Sequence, residues 1–384
     1  MSAPTLREWQ HQALALWQEN EGRGIIEVVT GGGKTVFALW CIKKLEPDTS
    51  LIVVPTLALL DQWWDETTAF FDLNLDDVHI VSGNQRLKTG TINIAVLNTA
   101  SKLQEQHRAS RCFLIVDECH KAASPQFRAV LDIPKVAALG LSATPERPYD
   151  EGLEEVLIPS LGPVIFKYTY REALRDGVIV PFKLRNIVFE LEEDRQQEYD
   201  RLSKAIARSI SKHGPDEPET VSLYLRRARV MNLSLNRVRL ALKLVANHRN
   251  RKILIFHEDI EACNLIHMAL AQNNVRAGIY HSKMKLRDRV KMLASYRSAD
   301  INVLVTCRAL DEGFNVPETE IGIIAASTAT RRQRIQRLGR ILRPAAGKDG
   351  AIIYTLVATA PEVSRLKEEE AELDGVTDVT WSRA

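Results

Sequence analysis

A glycine-rich segment near the start of the chain has the composition of a phosphate-binding loop. It follows the apolar run 25–29 and consists of Thr30, Gly31, Gly32, Gly33, Lys34 and Thr35. Glycines let the backbone approach a phosphate closely, and a helix that begins just after them adds N–H donors and the positive end of its dipole. Lys34 would then reach the β- and γ-phosphates, and the Thr35 hydroxyl would bind a magnesium ion. The segment therefore predicts a site for a nucleoside triphosphate with Mg²⁺.

The match to the strict form of this loop is incomplete. The strict pattern, Gly-x-x-x-x-Gly-Lys-Ser/Thr, requires a glycine at the position that Val28 occupies. On the residues of the loop alone, a glycine-rich turn that binds no nucleotide is the alternative.

Two adjacent carboxylates, Asp117 and Glu118, come directly after the apolar run 113–116. Charges at the end of a buried strand are costly unless they hold a cation or a reacting water. We therefore expect Asp117 to bind the magnesium ion and Glu118 to orient and deprotonate the attacking water. Acidic pairs at strand ends also occur in solvated turns, and the position of this pair after the phosphate loop argues against that alternative.

Short runs of β-branched and apolar residues recur along the chain, with helix-length segments between them. The first series lies at 25–29, 51–54, 92–97, 113–116 and 138–141, and the second at 252–256, 277–280, 302–305, 322–325 and 351–356. Continuously apolar runs of this length are typical of strands that are buried on both faces, as in parallel sheets covered by helices. The sequence thus predicts an α/β fold with two parallel-sheet lobes in tandem.

Prolines and glycines concentrate between the two series, at 146–182, where they would break regular elements. We place the domain boundary there, with lobe 1 at 1–165 and lobe 2 at 166–384. Within lobe 2, the polar segment 211–220 contains two prolines and one glycine and is predicted to be an exposed loop. The acidic segment 361–373 is predicted to be a solvated helix.

The composition is that of a folded, water-soluble protein, with 45% hydrophobic and 26% charged residues. No run approaches the roughly 18 consecutive apolar residues of a membrane helix, and the N-terminus does not resemble a secretory signal. The five cysteines are scattered without a Cys-x-x-Cys pair, which indicates a reducing compartment and argues against a zinc site. We therefore expect a cytoplasmic protein, nuclear in a eukaryote, without a membrane partner.

Basic residues cluster along the chain although the formal net charge is only +2. One cluster comprises Arg226, Arg227, Arg229, Arg237 and Arg239, and another extends over 331–343. Local basic surface matters more for phosphate binding than net charge does, so the clusters favour a polyanionic partner. For the second cluster, a basic helix face that lies in solvent is the alternative.

The residues Asp117-Glu118-Cys119-His120, together with the loop that precedes them, resemble the DEAD/DEAH-like helicases of superfamily two. Four more segments resemble that family's motifs and occur in its order. They are Leu-Arg-Glu-Trp-Gln at 6–10, Leu-Ser-Ala-Thr-Pro at 141–145 (the third motif), Thr-Cys-Arg-Ala-Leu-Asp-Glu-Gly-Phe-Asn-Val-Pro at 306–317 (the fifth) and Gln-Arg-Leu-Gly-Arg-Ile-Leu-Arg at 336–343 (the sixth). The resemblance implies two tandem RecA-like lobes with a nucleotide cleft between them. It also implies a nucleic-acid-dependent ATPase that uses ATP and Mg²⁺.

Three segments resemble the XPB branch of this superfamily, which includes phage recombination helicases. They are Phe-Arg-Ala-Val-Leu at 127–131, Leu-Ser-Ala-Thr-Pro-Glu-Arg at 141–147, and 171–181 with its Gly-Val-Ile-Val-Pro ending. The resemblance implies a DNA helicase or translocase that moves 3′ to 5′. Because the phosphate loop already begins at Thr30, we expect the chain to lack the N-terminal damage-recognition domain of full-length XPB proteins. Asn315 stands where the fifth motif usually has aspartate, so a contact to the ribose or to neighbouring arginines is expected to be weaker.

The resemblance assigns roles to individual residues. The residues expected to act in hydrolysis are Lys34, Asp117, Glu118, Gln336, Arg340 and Arg343. Those expected to bind the nucleotide, besides the phosphate loop, are Arg7, Gln10, Gly313 and Asn315, with Gln10 at the adenine base. Those expected to couple the nucleotide state to movement are His120, Ser142 and Thr144. Arg340 and Arg343 would act as arginine fingers on the γ-phosphate, which accelerates hydrolysis by roughly 10³ to 10⁵.

A path for nucleic acid across both lobes follows from the same resemblance. The residues expected along it are Pro55, Thr56, Gln62, Trp63, Asn98, Thr99, Phe256, His257 and Thr306. Contacts of this kind go chiefly to phosphates and sugars, so binding would depend on salt and tolerate many sequences. Trp63 and Trp64 are candidates for stacking on a base. Adjacent helix positions face different directions, however, so a place in the core is the alternative for one of them.

Three functions are compatible with these motifs. The favoured one is a DNA helicase or translocase that acts on single-stranded, forked or branched DNA in repair, recombination or replication. The second is an ATPase that acts on RNA with the same ATP-hydrolysing core. The third is a nucleotide-switched subunit of a nuclease or remodelling complex, with a nuclease or accessory protein as its partner. ATPase stimulation by DNA or RNA separates the first two, and strand displacement by the isolated chain argues against the third.

Overall fold

The computed structural model describes residues 4–74, 77–83, 86–103, 112–146, 150–307, 316, 318–326, 337, 339, 341–371, 373 and 375–384. The chain divides into two compact units, and the break between them lies between Asp176 and Gly177. Each unit contains a seven-stranded parallel sheet with helices. The predicted α/β class with two tandem RecA-like lobes is therefore confirmed. None of the described helices combines the length and the apolar character needed to cross a lipid bilayer.

The first unit is built on a sheet of strand order β3-β4-β2-β5-β6-β1-β7. Its elements are α1 (Glu8–Glu19), β1 (Arg23–Val28), α2 (Lys34–Leu45), β2 (Ser50–Val54), α3 (Leu57–Phe71), β3 (Val78–Val81), β4 (Ile92–Val96), α4 (Leu97–Ala100), β5 (Cys112–Asp117), β6 (Lys135–Ser142), α5 (Ile158–Leu161), β7 (Val164–Tyr168) and α6 (Tyr170–Arg175). Short 3₁₀ turns occupy Cys119–Lys121 and Arg128–Asp132, and a π-helical turn occupies Leu153–Leu157. Buried side chains of β1, β2 and β5, among them Ile25, Leu51 and Leu114, form the core on one face of this sheet.

The sheet order brings the predicted chemistry to one edge. Strand β6 lies between β5 and β1, and all three strands are parallel. Parallel strands end at the same edge of a sheet, which is where ligands bind in open α/β folds. The loop that follows β1 and the acidic residues that end β5 therefore lie on either side of the end of β6.

The second unit has the strand order β10-β11-β9-β12-β13-β8-β14. Its elements are β8 (Phe182–Val188), α7 (Glu193–His213), α8 (Pro218–Asn232), α9 (Leu235–Asn247), β9 (Ile253–His257), α10 (Ile260–Gln272), β10 (Ala277–His281), α11 (Leu286–Arg297), β11 (Val303–Cys307), β12 (Ile321–Ile324), β13 (Ala351–Val357), α12 (Ala360–Ala371) and β14 (Asp378–Arg383). Strand β8 pairs with β13 on one side and with β14 on the other. Helices α7 and α8 pack against each other between β8 and β9 along the chain.

All ten predicted strands are present, and the predicted acidic helix corresponds to α12. Strands β3, β7, β8 and β14 were not predicted. Strand β7 pairs with β1, so the first unit continues to Asp176, beyond the expected boundary after residue 165. Gly162 and Pro163 directly precede β7, and Gly177 and Pro181 lie between α6 and β8, while Pro159 lies in the first turn of α5. The predicted loop at 211–220 was too long, because α7 extends to His213 and α8 begins with Pro218, a residue suited to the first helical turn.

Candidate active site

The phosphate loop between β1 and α2 adopts a backbone that requires glycine. Gly31 and Gly33 have φ of 86° and 99°, in the left-handed region that side chains disfavour. A Cβ atom on Gly32 would lie 2.4 Å from Cγ1 of Val28 and 3.0 Å from the carbonyl oxygen of Val29. A side chain is therefore disfavoured at three successive positions, by the backbone conformation at Gly31 and Gly33 and by close contacts at Gly32. The loop presents bare backbone just before the N-terminus of α2, which is the cradle that a phosphate chain needs.

Two residues at the N-terminal end of helix α1 form hydrogen bonds with this loop. The side chain of Gln10 is 2% exposed, and its Oε1 accepts a hydrogen bond of 2.8 Å from the backbone N–H of Arg7. The Nε2 of Gln10 donates to the carbonyl of Gly33 at 3.0 Å, and Nη1 of Arg7 donates to the carbonyl of Gly32 at 3.1 Å. Two residues expected to bind the nucleotide, with Gln10 at the adenine base, therefore also hold the loop in shape, a role that sequence reasoning missed. Contact with the base itself stays a prediction.

Asp117 lies buried at the end of β5, with 9% of its surface exposed. Its Oδ2 accepts a hydrogen bond of 2.9 Å from Nε1 of Trp63, and its Oδ1 accepts one of 3.0 Å from the backbone N–H of Glu118. Burial and the neighbouring Glu118 charge raise the pKa of Asp117 to about 6, while the charge of Lys34 and the Trp63 hydrogen bond oppose that rise. A cation at this carboxylate would lower that pKa and favour the ionised form.

Glu118 begins a chain of contacts that leads to the third motif. Its backbone has φ of 48°, an uncommon conformation for a residue other than glycine, and its Oε2 lies 3.5 Å from Nδ1 of His120. The same ring nitrogen shares a hydrogen bond of 3.1 Å with Oγ of Ser142, which also accepts the backbone N–H of Thr144 at 3.1 Å. The three residues expected to couple nucleotide state to movement are thus in contact in one unit.

The residues at this edge fit a nucleotide and a magnesium ion. Nζ of Lys34 donates to the carbonyl of Val28 at 3.2 Å, which holds the ammonium at the loop. Thr35 lies half-buried in the first turn of α2, and Oγ1 of Thr30 is buried without a hydrogen-bond partner in the described part of the chain. Hydroxyl and carboxylate oxygens are the ligands that magnesium prefers, and Thr35 and Asp117 supply them.

Replacing Gly33 by alanine is expected to weaken ATP binding by roughly tenfold, because the left-handed backbone costs about 1–2 kcal/mol for a residue with a Cβ atom. That Cβ would also lie 3.1 Å from Nε2 of Gln10 and disturb its bond to the loop. Titration with a fluorescent ATP analogue measures the change. Gly83→Ala is the control, because Gly83 has φ of 58° and its Cβ would meet nothing within 4 Å. Equal ATP binding by both variants would contradict the role of Gly33.

Comparisons with known proteins match both units. The family described as "Type III restriction enzyme, res subunit" matches residues 3–147, and "Helicase conserved C-terminal domain" matches residues 236–345. The DNA 3′-5′ translocase XPB2 of Sulfurisphaera tokodaii is 27% identical over 358 residues, which are 88% of this chain and 78% of the relative. The DNA 3′-5′ helicase XPB of Kineococcus radiotolerans is 25% identical over 363 residues, which are 92% of this chain and 60% of the relative.

The two matched domains and these relatives support an XPB-like helicase of superfamily two. They equally support a nucleic-acid-dependent ATPase. Among solved structures, the Pyrococcus furiosus Hef helicase domain has a TM-score of 0.60 and 16% identity, and the match covers 94% of this chain and 98% of that one. At this identity the likeness establishes the shared fold.

In the second unit, a buried ion pair holds the segment predicted as the sixth motif. Nη2 of Arg337 lies 2.5 Å from Oε1 of Glu258, and each of these side chains is 2% exposed or less. The Arg337 guanidinium also lies 5.6 Å from the ring centroid of Phe256. The alternative of a basic face in solvent is therefore wrong for Arg337. Sequence reasoning missed Glu258 as its partner, although an acidic residue directly after a buried strand was a usable signal.

Other predicted residues of the second unit are only partly covered by the structure. Gly313, Asn315, Gln336 and Arg340 lie outside the described residues, and their roles stay predictions. Arg343 is half-buried, and its carbonyl accepts a hydrogen bond of 2.9 Å from Nζ of Lys348. The same ammonium donates to the carbonyl of Ile341. Burial lowers the pKa of Lys348 to about 8, partly offset by Glu320 and Glu318.

Four residues predicted along the nucleic-acid path are buried, so their side chains present no surface to a polymer. Trp63 is 1% exposed, Phe256 is 3% exposed, and His257 and Thr306 are fully buried. Trp63 lies on the apolar stripe of α3, which explains why the core alternative applies to it. Burial and the charges of Arg237 and Arg337 lower the pKa of His257 to about 3, so its ring is neutral at physiological pH.

The other predicted contacts of the first unit lie together. Thr56 caps the N-terminus of α3 just after β2, and its Oγ1 accepts the backbone N–H of Leu59 at 3.4 Å. Asn98 and Thr99 lie in α4 just after β4, and Asn98 is exposed. Because β2 and β4 are parallel neighbours, these residues share one edge of the sheet with half-buried Pro55. The half-buried Gln62 donates to Glu66 at 2.6 Å on the same helix.

A second buried ion pair stabilises the second unit, and it was not predicted. The guanidinium of Arg237 donates to the carbonyls of Ala325 and Leu356 at 2.6 and 2.9 Å, and lies 3.1 Å from Oε1 of Glu362. Arg237 is 1% exposed and Glu362 is 6% exposed. The pair connects α9 with α12 and with the ends of β12 and β13. Arg237, predicted as part of a basic surface, is thus a core residue.

Proposed function

We propose that this chain is an ATP-dependent DNA helicase or translocase that moves 3′ to 5′ on single-stranded, forked or branched DNA. One observation carries the proposal. The phosphate loop and the carboxylates of Asp117 and Glu118 lie on either side of β6, and His120 connects Glu118 with Ser142 at the end of that strand. A site in which the hydrolytic carboxylate contacts the third motif is suited to converting ATP turnover into movement. The names of the relatives support DNA as the polymer and 3′ to 5′ as the direction.

Hydrolysis follows from the residues at this edge. The loop backbone and Lys34 bind the phosphates, and Glu118 orients the water and accepts its proton as the water oxygen attacks the γ-phosphorus. The bond from the γ-phosphorus to the bridging oxygen breaks, and ADP leaves. Thr35 and Asp117 would hold magnesium, which supplies charge neutralisation on the phosphates when bound. We assign Arg340 and Arg343 as arginine fingers by their positions in the sixth motif.

The nucleic-acid path in the first unit is proposed at Pro55, Thr56, Asn98 and Thr99. These residues follow two neighbouring parallel strands, and the N-terminus of α3 adds backbone N–H groups at the same edge. Contacts of this type bind phosphates rather than base edges. Binding is therefore expected to weaken with rising salt and to depend little on sequence.

Steady-state ATPase activity of the purified chain tests the proposal. Rates are compared without polymer and with single-stranded DNA, duplex DNA and RNA, and Lys34→Ala reports any contaminating ATPase. We expect DNA to stimulate hydrolysis more than tenfold and RNA to stimulate it less. Stimulation by RNA alone would favour the RNA-acting ATPase, and no response to either polymer would contradict a motor.

A strand-displacement assay on partial duplexes tests movement and direction. Duplexes with a 3′ tail are expected to be unwound in the presence of ATP, whereas duplexes with only a 5′ tail are not. If the chain hydrolyses ATP on DNA but separates neither substrate, a translocase or a switched subunit with a nuclease or accessory partner becomes the better assignment.

A further inference from the structure

A buried indole connects helix α3 to the carboxylate of Asp117. The hydrogen bond from Nε1 of Trp63 to Oδ2 of Asp117 is 2.9 Å long and joins residues 54 positions apart. Within the described part of the chain, Trp63 is the single side chain that donates a hydrogen bond to Asp117. Trp63 is 1% exposed, so its indole N–H makes this hydrogen bond away from bulk water.

The indole fixes the orientation of the carboxylate. One oxygen of Asp117 accepts the Trp63 N–H and the other accepts the Glu118 backbone N–H. With a donor on each oxygen, the carboxyl group cannot rotate without breaking a hydrogen bond. A carboxylate oxygen has two lone-pair sites, so each oxygen keeps one for a cation. The Glu118 N–H is adjacent to Asp117 along the chain. The other donor, the Trp63 N–H, comes from helix α3.

Helix α3 carries the other end of this connection. Its N-cap is Thr56, which lies on the proposed nucleic-acid path, and Trp63 follows about two helical turns later. Leu60, Trp63, Thr67 and Phe70 form the buried face of the helix. A helix packed along one face moves as a stiff unit, so a shift of its N-terminus is transmitted to the indole.

We propose that Trp63 is a positioning residue of the ATPase site. Its N–H holds the Asp117 carboxylate in the orientation that magnesium-bound nucleotide requires, and through α3 it couples nucleic-acid binding to hydrolysis. The proposal rests on the proposed function as a nucleic-acid-driven ATPase. It assigns a role to a residue that neither stacks on a base nor touches the nucleotide.

Two substitutions at position 63 separate the hydrogen bond from packing. Trp63→Phe keeps an aromatic ring, and 3-benzothienylalanine at position 63 keeps the bicyclic shape while sulfur replaces the N–H. Trp17→Phe is the matched control, because Trp17 is also 1% exposed and its Nε1 donates to the carbonyl of Ala138 at 3.1 Å in the same unit. Circular dichroism and the melting temperature verify that each variant is folded.

The first readout is the magnesium dependence of binding of a fluorescent ATP analogue, which requires no turnover. Both position-63 variants are expected to need roughly tenfold more Mg²⁺ for half-saturation, since a hydrogen bond to a charged group is worth about that factor. Nucleotide binding without Mg²⁺ should be unchanged, and Trp17→Phe should match the wild type. An unchanged magnesium dependence in the benzothienyl variant, or an equal rise in Trp17→Phe, overturns the proposal.

The second readout is the stimulation of ATPase activity by single-stranded DNA at saturating Mg²⁺. The position-63 variants are expected to lose several-fold of this stimulation, while Trp17→Phe keeps it. Full stimulation together with a raised magnesium requirement would overturn the coupling and keep the positioning role. If the wild-type chain itself shows no stimulation, the proposed function fails, and the magnesium titration still decides whether Trp63 positions Asp117.

Discussion

Replacing Glu118 by glutamine is expected to lower the kcat of ATP hydrolysis by roughly 10² to 10⁴, the usual contribution of a general base. Glutamine keeps the size of the side chain but cannot accept the proton of the attacking water. The loop and Asp117 remain intact, so ATP binding should persist. A DNA-dependent ATPase assay measures the first effect, and titration with a fluorescent ATP analogue measures the second.

Glu46→Gln is the matched control for this variant. Glu46 is an exposed glutamate at the end of α2, and its φ of 46° is close to the 48° of Glu118. The two substitutions therefore change the same chemical group on the same kind of backbone. If Glu118→Gln retained more than about a tenth of the wild-type rate, Glu118 would not be the base. If the variant also failed to bind ATP, the loss would be structural.

Replacing Arg237 by methionine is expected to lower the free energy of unfolding of the second unit by about 3–5 kcal/mol, since the change leaves a buried charge without its partner. Glu362 would lose its cation, and the carbonyls of Ala325 and Leu356 would lose their donor. Urea denaturation followed by circular dichroism measures the change. Loss of less than 1 kcal/mol would contradict the assignment of this pair to the core.

Two further variants sharpen this test. Arg239→Met alters an arginine of the same helix that is exposed and donates to Asn236, so its effect should stay within about 0.5 kcal/mol. The double variant Arg237→Met with Glu362→Gln removes both charges and should recover part of the loss.

The same ion pair makes the stability of the second unit depend on pH. Burial by itself would raise the pKa of Glu362, but Arg237 and the N–H donor of Ala358 hold it below its usual value. This contribution to stability is therefore present above the unfolded pKa and is lost as the pH falls through the folded one.

The parallel sheets and the phosphate loop could be predicted because their signals are local. Central strands such as β2 and β5 are buried along their whole length, so they read as continuous apolar runs. Strand β14 has exposed or half-buried residues throughout, and β7 has a single buried residue, Tyr168. Strand β14 carries no continuous apolar pattern, and the apolar run at the start of β7 lies among the prolines and glycines that indicated a domain boundary. The pairing of both strands is fixed by distant parts of the chain.

The side chains of the site were less predictable than its elements. Position in a motif indicated Asp117, but only the packing of α3 brings Trp63 to it. The buried arginines follow the same rule. Arg237 shares the buried face of α9 with Val238, Ala241 and Leu244. Its place within this apolar stripe indicated burial, but its place in a basic cluster led to the prediction of a surface residue. Motifs predict which residues take part in catalysis and binding, whereas burial decides which of these residues can contact nucleic acid.

The position of β8 affects when the second unit can fold. Phe182 pairs with Ala351, and Lys183 pairs with Asp378. Both partner strands of β8 are therefore synthesised long after β8 itself. All strands of the first sheet lie before residue 169. On the ribosome the first unit can therefore complete its sheet while both edges of β8 are still open. Pairings between distant segments form slowly, and an unpaired strand edge invites association with other chains. Faster translation or lower chaperone capacity should therefore harm the second unit first.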